Sequence, residues 1–404
     1  MLHHCHITFI QLKYIKYNGE KNMEQEFNPN YPSIDDLRRQ AKFKVPGFAF
    51  DYVDGACNEE LNLRKNTEEI RDVELKPYYL NKYDGTSMKT EIFGDTYDAP
   101  FGISPIGLQG LTWPGAAEIL AKAAFTHNIP YTLSTVSTAS IEKIAEITEG
   151  KAWFQLYHPA EESIRDDIMD RCKAAGIKNF MILADTPTFG YRNKEIKNGL
   201  AIPPRMTLKN ILQIMTCPHW ALETLRQGQP EFQTLKKYME GGMDLRHLAL
   251  FMNKTFDGRL SEDRVKKIRD KWDGNLIIKG VASTEDAQKA VDIGLDGLIV
   301  SNHGGRQLDA GQSTIKMTEE IVQQFKGQIK IMMDSGIRTG PDIARTLATG
   351  ADFAFLGRSF MYGVGALGKE GGNHTITILK KQLQQIMDQC NCATPSDFPN
   401  HLIK

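Results

Sequence analysis

From about residue 100 onward, short runs of apolar and β-branched residues alternate with longer stretches in which apolar residues recur at helical spacing. Because these runs are apolar at nearly every position, they indicate strands that are buried on both faces, as in a parallel sheet covered by helices. The pattern predicts eight strands, at residues 101–105, 131–134, 152–157, 180–185, 276–280, 297–301, 329–334 and 352–357.

One amphipathic stretch lies between most pairs of these strands, so that strand and helix alternate along the chain. Eight such units favour a closed (β/α)8 barrel, the TIM barrel, over an open doubly wound sheet. No G-x-G-x-x-G follows a strand, which argues against a dinucleotide-binding sheet. We therefore predict an α/β domain with this barrel at residues 31–390 and a C-terminal tail at 391–404.

Two stretches lie outside the repeat. Residues 31–97 predict an N-terminal segment of helices that covers the base or the mouth of the barrel. Residues 188–258 form an insertion after the fourth predicted strand, far longer than an ordinary βα loop. Its amphipathic part, within 205–250, suits peripheral membrane contact, a lid or packing between subunits, and its mixed charge favours the lid or the subunit packing.

Residues 1–30 are predicted to be an extension of the domain, with Met23 as the natural start. They lack the apolar core and the cleavage site of a signal peptide, and no stretch of the sequence is apolar enough to span a bilayer. His3, His4, Cys5 and His6 cluster there, but a chain terminus supplies no surrounding groups that orient metal ligands. We therefore predict no metal site.

The chain has almost equal numbers of positively and negatively charged residues. It carries 49 Lys and Arg against 50 Asp and Glu, a balance that creates no field attracting nucleic acid or an anionic membrane. A hydrophobic share of 41% is typical of globular proteins. The six cysteines are mostly scattered, which argues against a disulfide framework and favours the reducing cytoplasm.

Polar or titratable side chains follow nearly every predicted strand, at the end where the loops of a barrel converge on one mouth. Each of them has a structural explanation when taken singly, such as a helix cap or a paired core residue. Structural explanations do not account for all of them together, because burial of each polar side chain costs desolvation free energy unless the side chain is paired. They are Ser134, Gln155, Tyr157, Asp185, Lys279, Ser301, His303, Arg306, Asp334, Arg338 and Arg358.

The loops after the last two strands, DSGIRTG and LGRSF, combine glycines with arginines. Gly336 and Gly357 let backbone N–H groups approach an anion, and Arg338 and Arg358 supply positive charge. Loops at this position form the phosphate site of many barrels. We therefore expect a phosphorylated ligand.

The stretch DGLIVSNHGGRQLD, residues 296–309, leads from a buried strand into a loop that carries an imidazole and a guanidinium. His303 can exchange a proton near neutral pH, and Arg306 can form a bidentate pair with a carboxylate. Beside a bound phosphorylated ligand, this pair indicates chemistry at the carbon next to a carboxylate.

These residues resemble those of the FMN-dependent L-2-hydroxy acid oxidising family, which includes L-lactate dehydrogenase, glycolate oxidase and mandelate dehydrogenase. The resemblance covers nearly all of the chain after residue 31 and rests above all on SNHGGRQLD. It is supported by GFAFDYVDGA, PIGLQGLTWPG, LSTVS, WFQLY, ADTPTFGYR, IIKG, DSGIR and LGR. LSTVS and the PHWALE of the insertion are most similar to the bacterial L-lactate dehydrogenase branch.

The resemblance implies FMN as the cofactor and assigns four catalytic residues. His303 is the base at the substrate, and the carboxylate of Asp185 raises the proton affinity of its imidazole and orients it. Tyr157 hydrogen-bonds the hydroxyl that is oxidised. Lys279 lies beside the flavin edge on which negative charge accumulates.

The resemblance also assigns binding residues. Tyr52, Arg192 and Arg306 hold the carboxylate of the substrate, and Asp334 contacts the ribityl chain of FMN. The flavin ring contacts Pro105, Ile106, Gly107, Ser134, Gln155 and Ser301, and the phosphate contacts Gly336, Arg338, Gly357 and Arg358.

Three positions depart from the pattern of the family. Leu183 replaces a threonine that touches the flavin in many relatives, and Val53 replaces a second tyrosine beside Tyr52. Val136 replaces the tryptophan of glycolate oxidase and leaves room for a methyl group or a larger side chain. We therefore expect oxidation of L-lactate to pyruvate rather than of glycolate, although a methylene-scale fit is worth only about 1–3 kcal/mol.

The insertion is similar to that of dehydrogenases that pass electrons to the respiratory chain. The resemblance thus implies a quinone or cytochrome acceptor and a cytoplasmic homotetramer, with peripheral contact to the inner face of the cell membrane as a further option. Three alternatives remain open: an oxidase that uses oxygen with glycolate or a broad range of 2-hydroxy acids, a Schiff-base lyase that uses Lys279, and a catalytically silent flavin-binding barrel.

Overall fold

The eight predicted strands form one sheet in the computed structural model, which describes residues 27–200, 205–239 and 259–403. Neighbouring strands in this sheet are parallel, in the order β3-β10-β9-β8-β7-β6-β5-β4. A parallel bridge between Ile103 and Tyr131 joins its two edges and closes the barrel. The strands are β3 (Phe101–Ile103), β4 (Thr132–Ser134), β5 (Trp153–Leu156), β6 (Asn179–Leu183), β7 (Asn275–Val281), β8 (Gly297–Val300), β9 (Lys330–Met333) and β10 (Phe353–Leu356).

Helices surround the barrel, as the alternating pattern predicts. Several begin where a serine or threonine side chain accepts from a backbone N–H of the first turn; Thr339 does so in a reciprocal capping box with Asp342. The helices that alternate with strands are α4 (Gln109–Thr112), α5 (Ala116–Thr126), α6 (Ile141–Thr148), α7 (Glu162–Ala174), α11 (Glu262–Lys271), α12 (Thr284–Ile293), α13 (Thr314–Phe325), α14 (Gly340–Ala348), α15 (Arg358–Leu367) and α16 (Gly371–Cys390).

The N-terminal segment differs in part from the helices that the sequence predicts. Three helices are present, α1 (Ile34–Lys44), α2 (Gly47–Asp54) and α3 (Leu61–Arg71), but β1 (Thr90–Ile92) and β2 (Asp95–Tyr97) form an antiparallel hairpin. Inward-pointing side chains of the barrel strands form an apolar cluster with this hairpin, which closes the barrel base. The indole Nε1 of Trp153 donates to the hydroxyl of Tyr97, 3.0 Å away.

The described part of the insertion packs against the barrel mouth. It contains α8 (Asn193–Lys197), α9 (Leu208–Met215) and α10 (Pro218–Gln227), whereas 201–204 and 240–258 lie outside the described residues. Trp220 is buried, and its indole N–H lies 3.2 Å from the carbonyl of Leu111 and 3.1 Å from that of Thr112. The backbone N–H of Phe48 in α2 donates to the amide oxygen of Gln213 in α9.

Two predictions concern regions that lie partly outside the described residues. No helix within the described ranges is long and apolar enough to cross a membrane. The N-terminal extension up to residue 26, with Met23 and the cluster of His3, His4, Cys5 and His6, lies outside the described residues. The five cysteines that are described are free and buried.

Candidate active site

A cavity of about 610 Å³ lies at the carboxyl ends of the barrel strands, between the strand ends, α2 and the insertion. Most of the residues predicted for the site line it: Tyr52, Pro105, Ile106, Gly107, Val136, Tyr157, Arg192, Lys279, His303, Arg306, Asp334, Arg338, Gly357 and Arg358. The other predicted residues do not line it; three of them, Ser134, Gln155 and Ser301, are buried behind its wall. The predicted residues therefore form one site although the sequence separates them widely.

His303 and Asp185 form a hydrogen-bonded pair at this cavity. Nδ1 of His303 lies 3.0 Å from Oδ1 of Asp185. A carboxylate can only accept, so Nδ1 carries the proton and Nε2 is left as a free acceptor. Asp185 does not line the cavity, and its Oδ2 has no hydrogen-bond partner in the described structure. The pair can therefore take up one proton at Nε2, and its positive charge would then lie beside a carboxylate.

The backbone of the histidine loop is unusual. Three consecutive residues, His303, Gly304 and Gly305, have φ angles of 58°, 68° and 75°, in the left-handed region. Neither glycine leaves room for a Cβ. A Cβ on Gly304 would lie 2.5 Å from a guanidinium nitrogen of Arg358, and one on Gly305 would lie 2.6 Å from the backbone nitrogen of Leu63. The two glycines thus let the loop fold tightly between α3 and the arginine.

A network of buried asparagines holds this loop. The amide of Asn302 exchanges two hydrogen bonds with that of Asn66 in α3, 2.8 and 2.7 Å long, and also donates to Asn62. The N–H of Gly305 donates to the same Asn302 side chain, 3.1 Å away. Since all three asparagines are buried, the network fixes the residue that precedes His303 without help from water.

The burial of the pair shifts the pKa values of both groups. Burial lowers the pKa of the His303 imidazole, and it outweighs the opposing effect of the Asp185 carboxylate. Asp185 raises the proton affinity as the resemblance implies, but the net shift is downward. For Asp185 itself, burial opposes ionisation, but the imidazole and the Lys279 ammonium together lower the pKa of the carboxyl. The imidazole is therefore neutral and ready to accept a proton.

Lys279 is buried near the end of β7, where its ammonium has two polar partners. Its Nζ donates to Oγ of Ser301 at 2.8 Å and forms an ion pair with Asp334 at 3.1 Å. Burial opposes the charge, but Asp334 and Asp185 raise the pKa of the lysine. Lys279 therefore presents a fixed ammonium to the cavity.

Arg306 and Arg192 lie together on the other side of the cavity. Nη1 of Arg306 donates to the carbonyls of Tyr52 and Gly55, at 2.6 and 3.1 Å, and its guanidinium lies 5.0 Å from the centre of the Tyr52 ring. Nη2 of Arg306 pairs with Glu195 at 2.6 Å, and Arg192 lies 3.5 Å from the same oxygen. The two guanidinium groups thus share one carboxylate, a feature that the sequence analysis missed.

Arg338 and Arg358 lie at the ends of the last two strands, where a phosphate is expected. Nε and Nη2 of Arg358 donate to the carbonyls of Val53 and Gly55, both at 2.8 Å. Burial, reinforced by the charge of Arg338, lowers the pKa of Arg358 to about 9. Among the described residues neither guanidinium lies within ion-pair distance of a carboxylate, so together they suit an anion.

The residues around the cavity fit FMN. The amide Nε2 of Gln155 is buried and has no hydrogen-bond partner among the described residues, while its Oε1 accepts from Ser134, 3.1 Å away. A donor of this kind suits a polar ring edge, and the two arginines suit a phosphate. Pro105, Ile106 and Gly107, together with Leu108, supply a wall beside them.

Other residues of the site were missed by the sequence analysis. Ser104 lies within the first predicted barrel strand, and its Oγ donates to Asp334 at 3.4 Å. Leu108, Leu200 and Phe232 add an apolar wall, two of them from the insertion. Glu195 follows Arg192 by three residues, a helical spacing that could have indicated the pair.

The comparisons with known proteins agree with this geometry. The family model described as FMN-dependent dehydrogenase matches residues 41–404. The L-lactate dehydrogenase of Vibrio cholerae serotype O1 (strain M66-2) is 39% identical over 353 residues, which cover 87% of this chain and 93% of the relative. That of Ectopseudomonas mendocina (strain ymp) is 37% identical over 369 residues, 91% of this chain and 97% of the relative.

A solved structure shows the same fold. The crystal structure of the monotopic membrane protein (S)-mandelate dehydrogenase superposes with a TM-score of 0.87 and is 31% identical, covering 93% of this chain and 99% of that one. The barrel, the cavity and the family match thus lead to one assignment. The chain belongs to the FMN-dependent dehydrogenase family and is an FMN-dependent oxidoreductase of 2-hydroxy acids.

Proposed function

We propose that the chain oxidises L-lactate to pyruvate and passes the electrons to a quinone or cytochrome. The observation that carries this proposal is that His303, which is hydrogen-bonded to Asp185, lines the same cavity as Arg192 and Arg306. A hydroxy acid needs a base for its hydrogen and a cation for its carboxylate, and the cavity offers both.

The chain's own residues suit this oxidation, which removes two electrons and two protons from the substrate. FMN, when bound, accepts the electrons. Arg306 and Arg192, with Tyr52, hold the carboxylate, and the hydroxyl of Tyr157 hydrogen-bonds the substrate hydroxyl. Burial, and then the Asp185 charge, raises the pKa of Tyr157, so the phenol keeps its proton and can donate it. Nε2 of His303 accepts one proton, from the α carbon or from the hydroxyl.

Further residues suit FMN itself. The Lys279 ammonium stabilises negative charge at the flavin edge, and Arg338 and Arg358 hold the phosphate. Gln155 and Ser134, which are hydrogen-bonded to each other, would hydrogen-bond the polar edge of the flavin ring. Asp334 and Ser301 orient Lys279. Gly357, which lines the cavity, would let backbone N–H groups approach the phosphate, whereas Gly336, with a φ of +85°, does not line the cavity and serves the turn that leads to Arg338.

The alternatives have less support. A Schiff-base lyase needs an uncharged lysine, whereas the pKa of Lys279 is raised by two carboxylates. A catalytically silent barrel does not explain why the neutral imidazole of His303, paired with Asp185, lines the cavity. A 2-hydroxy acid oxidase that uses oxygen differs in its acceptor alone. We favour lactate over glycolate because Val136, a small side chain, lines the cavity.

The test is to mix the purified yellow protein with L-lactate, glycolate and L-mandelate without air and to follow flavin bleaching. L-lactate should bleach it fastest, and a quinone should restore the colour faster than oxygen does. Faster bleaching by glycolate, or preferential reoxidation by oxygen, contradicts the substrate or the acceptor respectively.

We further propose that the enzyme lies in the cytoplasm, contacts the inner face of the membrane through α9 and assembles as a homotetramer. Leu208, Leu212 and Met215 of α9 are 80%, 63% and 72% exposed, and the (S)-mandelate dehydrogenase of similar structure is a monotopic membrane protein. An exposed apolar helix face of this kind suits the lipid interface.

Replacing both Leu208 and Leu212 by glutamate should abolish sedimentation with anionic lipid vesicles. Leu80→Glu, at a fully exposed leucine outside the insertion, is the matched control and should leave sedimentation unchanged. Unchanged sedimentation of the double variant contradicts membrane contact. Dissociation of the oligomer, measured by light scattering, would instead place this face between subunits.

A further inference from the structure

Glu195 places a carboxylate of the chain itself between the two arginines that are proposed to bind the substrate. Its Oε1 is 2.6 Å from Nη2 of Arg306 and 3.5 Å from Nη1 of Arg192. The side chains of Glu195, Arg192 and Arg306 are 15%, 15% and 13% exposed, and all three line the cavity. The ion pair therefore lies at the edge of the binding site, largely shielded from water.

Glu195 is not required to hold Arg306 in place. The other end of that guanidinium donates to the carbonyls of Tyr52 and Gly55, at 2.6 and 3.1 Å. Arg306 also stacks over the Tyr52 ring. Without the Glu195 carboxylate, contacts with Tyr52 in α2 and with Gly55, the residue that follows α2, would thus still orient Arg306 toward the cavity.

The position of Glu195 is set by its own helix. The flanking residue Lys194 pairs with Glu60 at 2.9 Å, and the amide of Asn198 donates to Asp51 in α2 at 2.7 Å. These contacts tie α8 to the barrel mouth independently of the two arginines. Glu195 is therefore held where it meets any anion that enters the cavity.

We propose that Glu195 determines specificity by occupying one of the two anion positions that the arginine pair offers. Two guanidinium charges and one carboxylate leave a single positive charge, which one substrate carboxylate neutralises. A second carboxylate on the substrate side chain would meet Glu195 without a cation of its own, and like charges in a shielded site repel strongly. The cavity thus accepts 2-hydroxy acids with uncharged side chains and rejects dicarboxylates.

This inference rests on the proposed function, because it assumes that Arg192 and Arg306 receive the substrate carboxylate. The test uses Glu195→Gln, which keeps the shape and removes the charge, and Glu195→Asp, which keeps the charge but withdraws it. Glu60→Gln is the matched control, since it removes an acid that pairs with the neighbouring Lys194 but does not line the cavity, while the Asn198–Asp51 hydrogen bond still ties α8 to α2.

Binding is measured by calorimetry on the FMN-loaded protein, with pyruvate as the monoanion and 2-oxoglutarate as the dianion. Glu195→Gln should tighten the Kd for pyruvate about fivefold and that for 2-oxoglutarate about fiftyfold, so that selectivity against the dianion falls about tenfold. Glu195→Asp should give an intermediate change, and Glu60→Gln none. L-malate should then bleach the flavin of Glu195→Gln faster than that of the wild type.

The outcomes separate the two proposals. If Glu195→Gln binds both acids with the wild-type ratio, or binds pyruvate more weakly, the assigned role of Glu195 is wrong. If neither acid binds to any variant, the arginine pair does not receive carboxylates and the proposed function itself fails. If Glu195→Gln does not retain FMN, Glu195→Asp provides the test. The inference is then wrong if the ratio of the Kd values for pyruvate and 2-oxoglutarate is the same in Glu195→Asp as in the wild type.

Discussion

Gly280 lies so close to Asp185 that a Cβ on the glycine would be 2.5 Å from Cβ of the aspartate. The φ angle of Gly280 is +94°, a conformation that other residues rarely adopt. It follows Lys279 directly, at the point where the register between β7 and β8 shifts. The end of one strand thus makes room for the carboxylate that orients His303.

Gly280→Ala should therefore impair catalysis through Asp185. We expect the free energy of unfolding to fall by about 2 kcal/mol from backbone strain and overlap, and flavin reduction to slow by one to two orders of magnitude. Gly294→Ala is the control, because Gly294 also has a positive φ, +77°, but nothing lies near its Cβ position. That variant should lose about 1 kcal/mol and reduce flavin at the normal rate; equal slowing in both would exclude a specific effect on Asp185.

His303→Gln should keep FMN but lose flavin reduction by L-lactate by about 10³-fold or more. Glutamine can still donate to Asp185, but it cannot accept a proton at neutral pH. Anaerobic stopped-flow absorbance measures the rate, and the visible spectrum reports the bound cofactor. His219→Gln, at an exposed histidine of α10, should behave as the wild type. Turnover retained in His303→Gln would remove this imidazole from the mechanism.

The pH dependence of kcat/KM follows from the lowered pKa of His303. The base must be neutral in the free enzyme, and a pKa below the ordinary value of 6.5 keeps it neutral in weak acid. Activity should thus persist as the pH falls through 6.5 and decline only below it. Because Asp185 raises the proton affinity, Asp185→Asn should move this decline to still lower pH while slowing the reaction. An acid limb centred above 6.5 would contradict the burial argument.

The barrel could be predicted because its strands carry a strong local signal. Most are apolar at nearly every position and are followed by polar residues, and the register then brings Ser134 beside Gln155. The hairpin at the base could not be predicted, since β1 and β2 are three residues long and each has two polar residues before a single buried one. Their stability comes from Trp153 and the other side chains that fill the barrel, which local sequence does not reveal.

The residues of the site also fall into two groups, those that the local sequence indicates and those that only the folded chain brings together. His303, Arg306 and Lys279 stand in compact motifs next to predicted strands, so the sequence indicates them. Glu195 pairs with Arg306, 111 residues away, and Asn66 pairs with Asn302, 236 residues away. Contacts over such separations cannot be predicted from the spacing of residues in the sequence. Only the closed barrel, with α3 and α8 packed at its mouth, brings these groups together.

The asparagine network yields the last prediction. Asn66→Ala removes two hydrogen bonds with Asn302 and one, 3.2 Å long, from the backbone N–H of Thr314. Asn302 keeps its bonds to Asn62 and Gly305, but the buried N–H of Thr314 loses its acceptor. We expect the free energy of unfolding to fall by about 3 kcal/mol, measured in urea, because buried polar groups without partners are costly.

Flavin reduction per bound FMN should also slow in Asn66→Ala, about tenfold or more, because Asn302 precedes His303 and the loop loses its support. Asn275→Ala is the matched control, since it breaks a partly buried amide pair with Asn179, 2.7 Å long, at the opposite end of the barrel. It should destabilise the fold but leave the reduction rate unchanged. If both variants reduce flavin at the wild-type rate, the network supports the fold alone and the loop positions His303 without it.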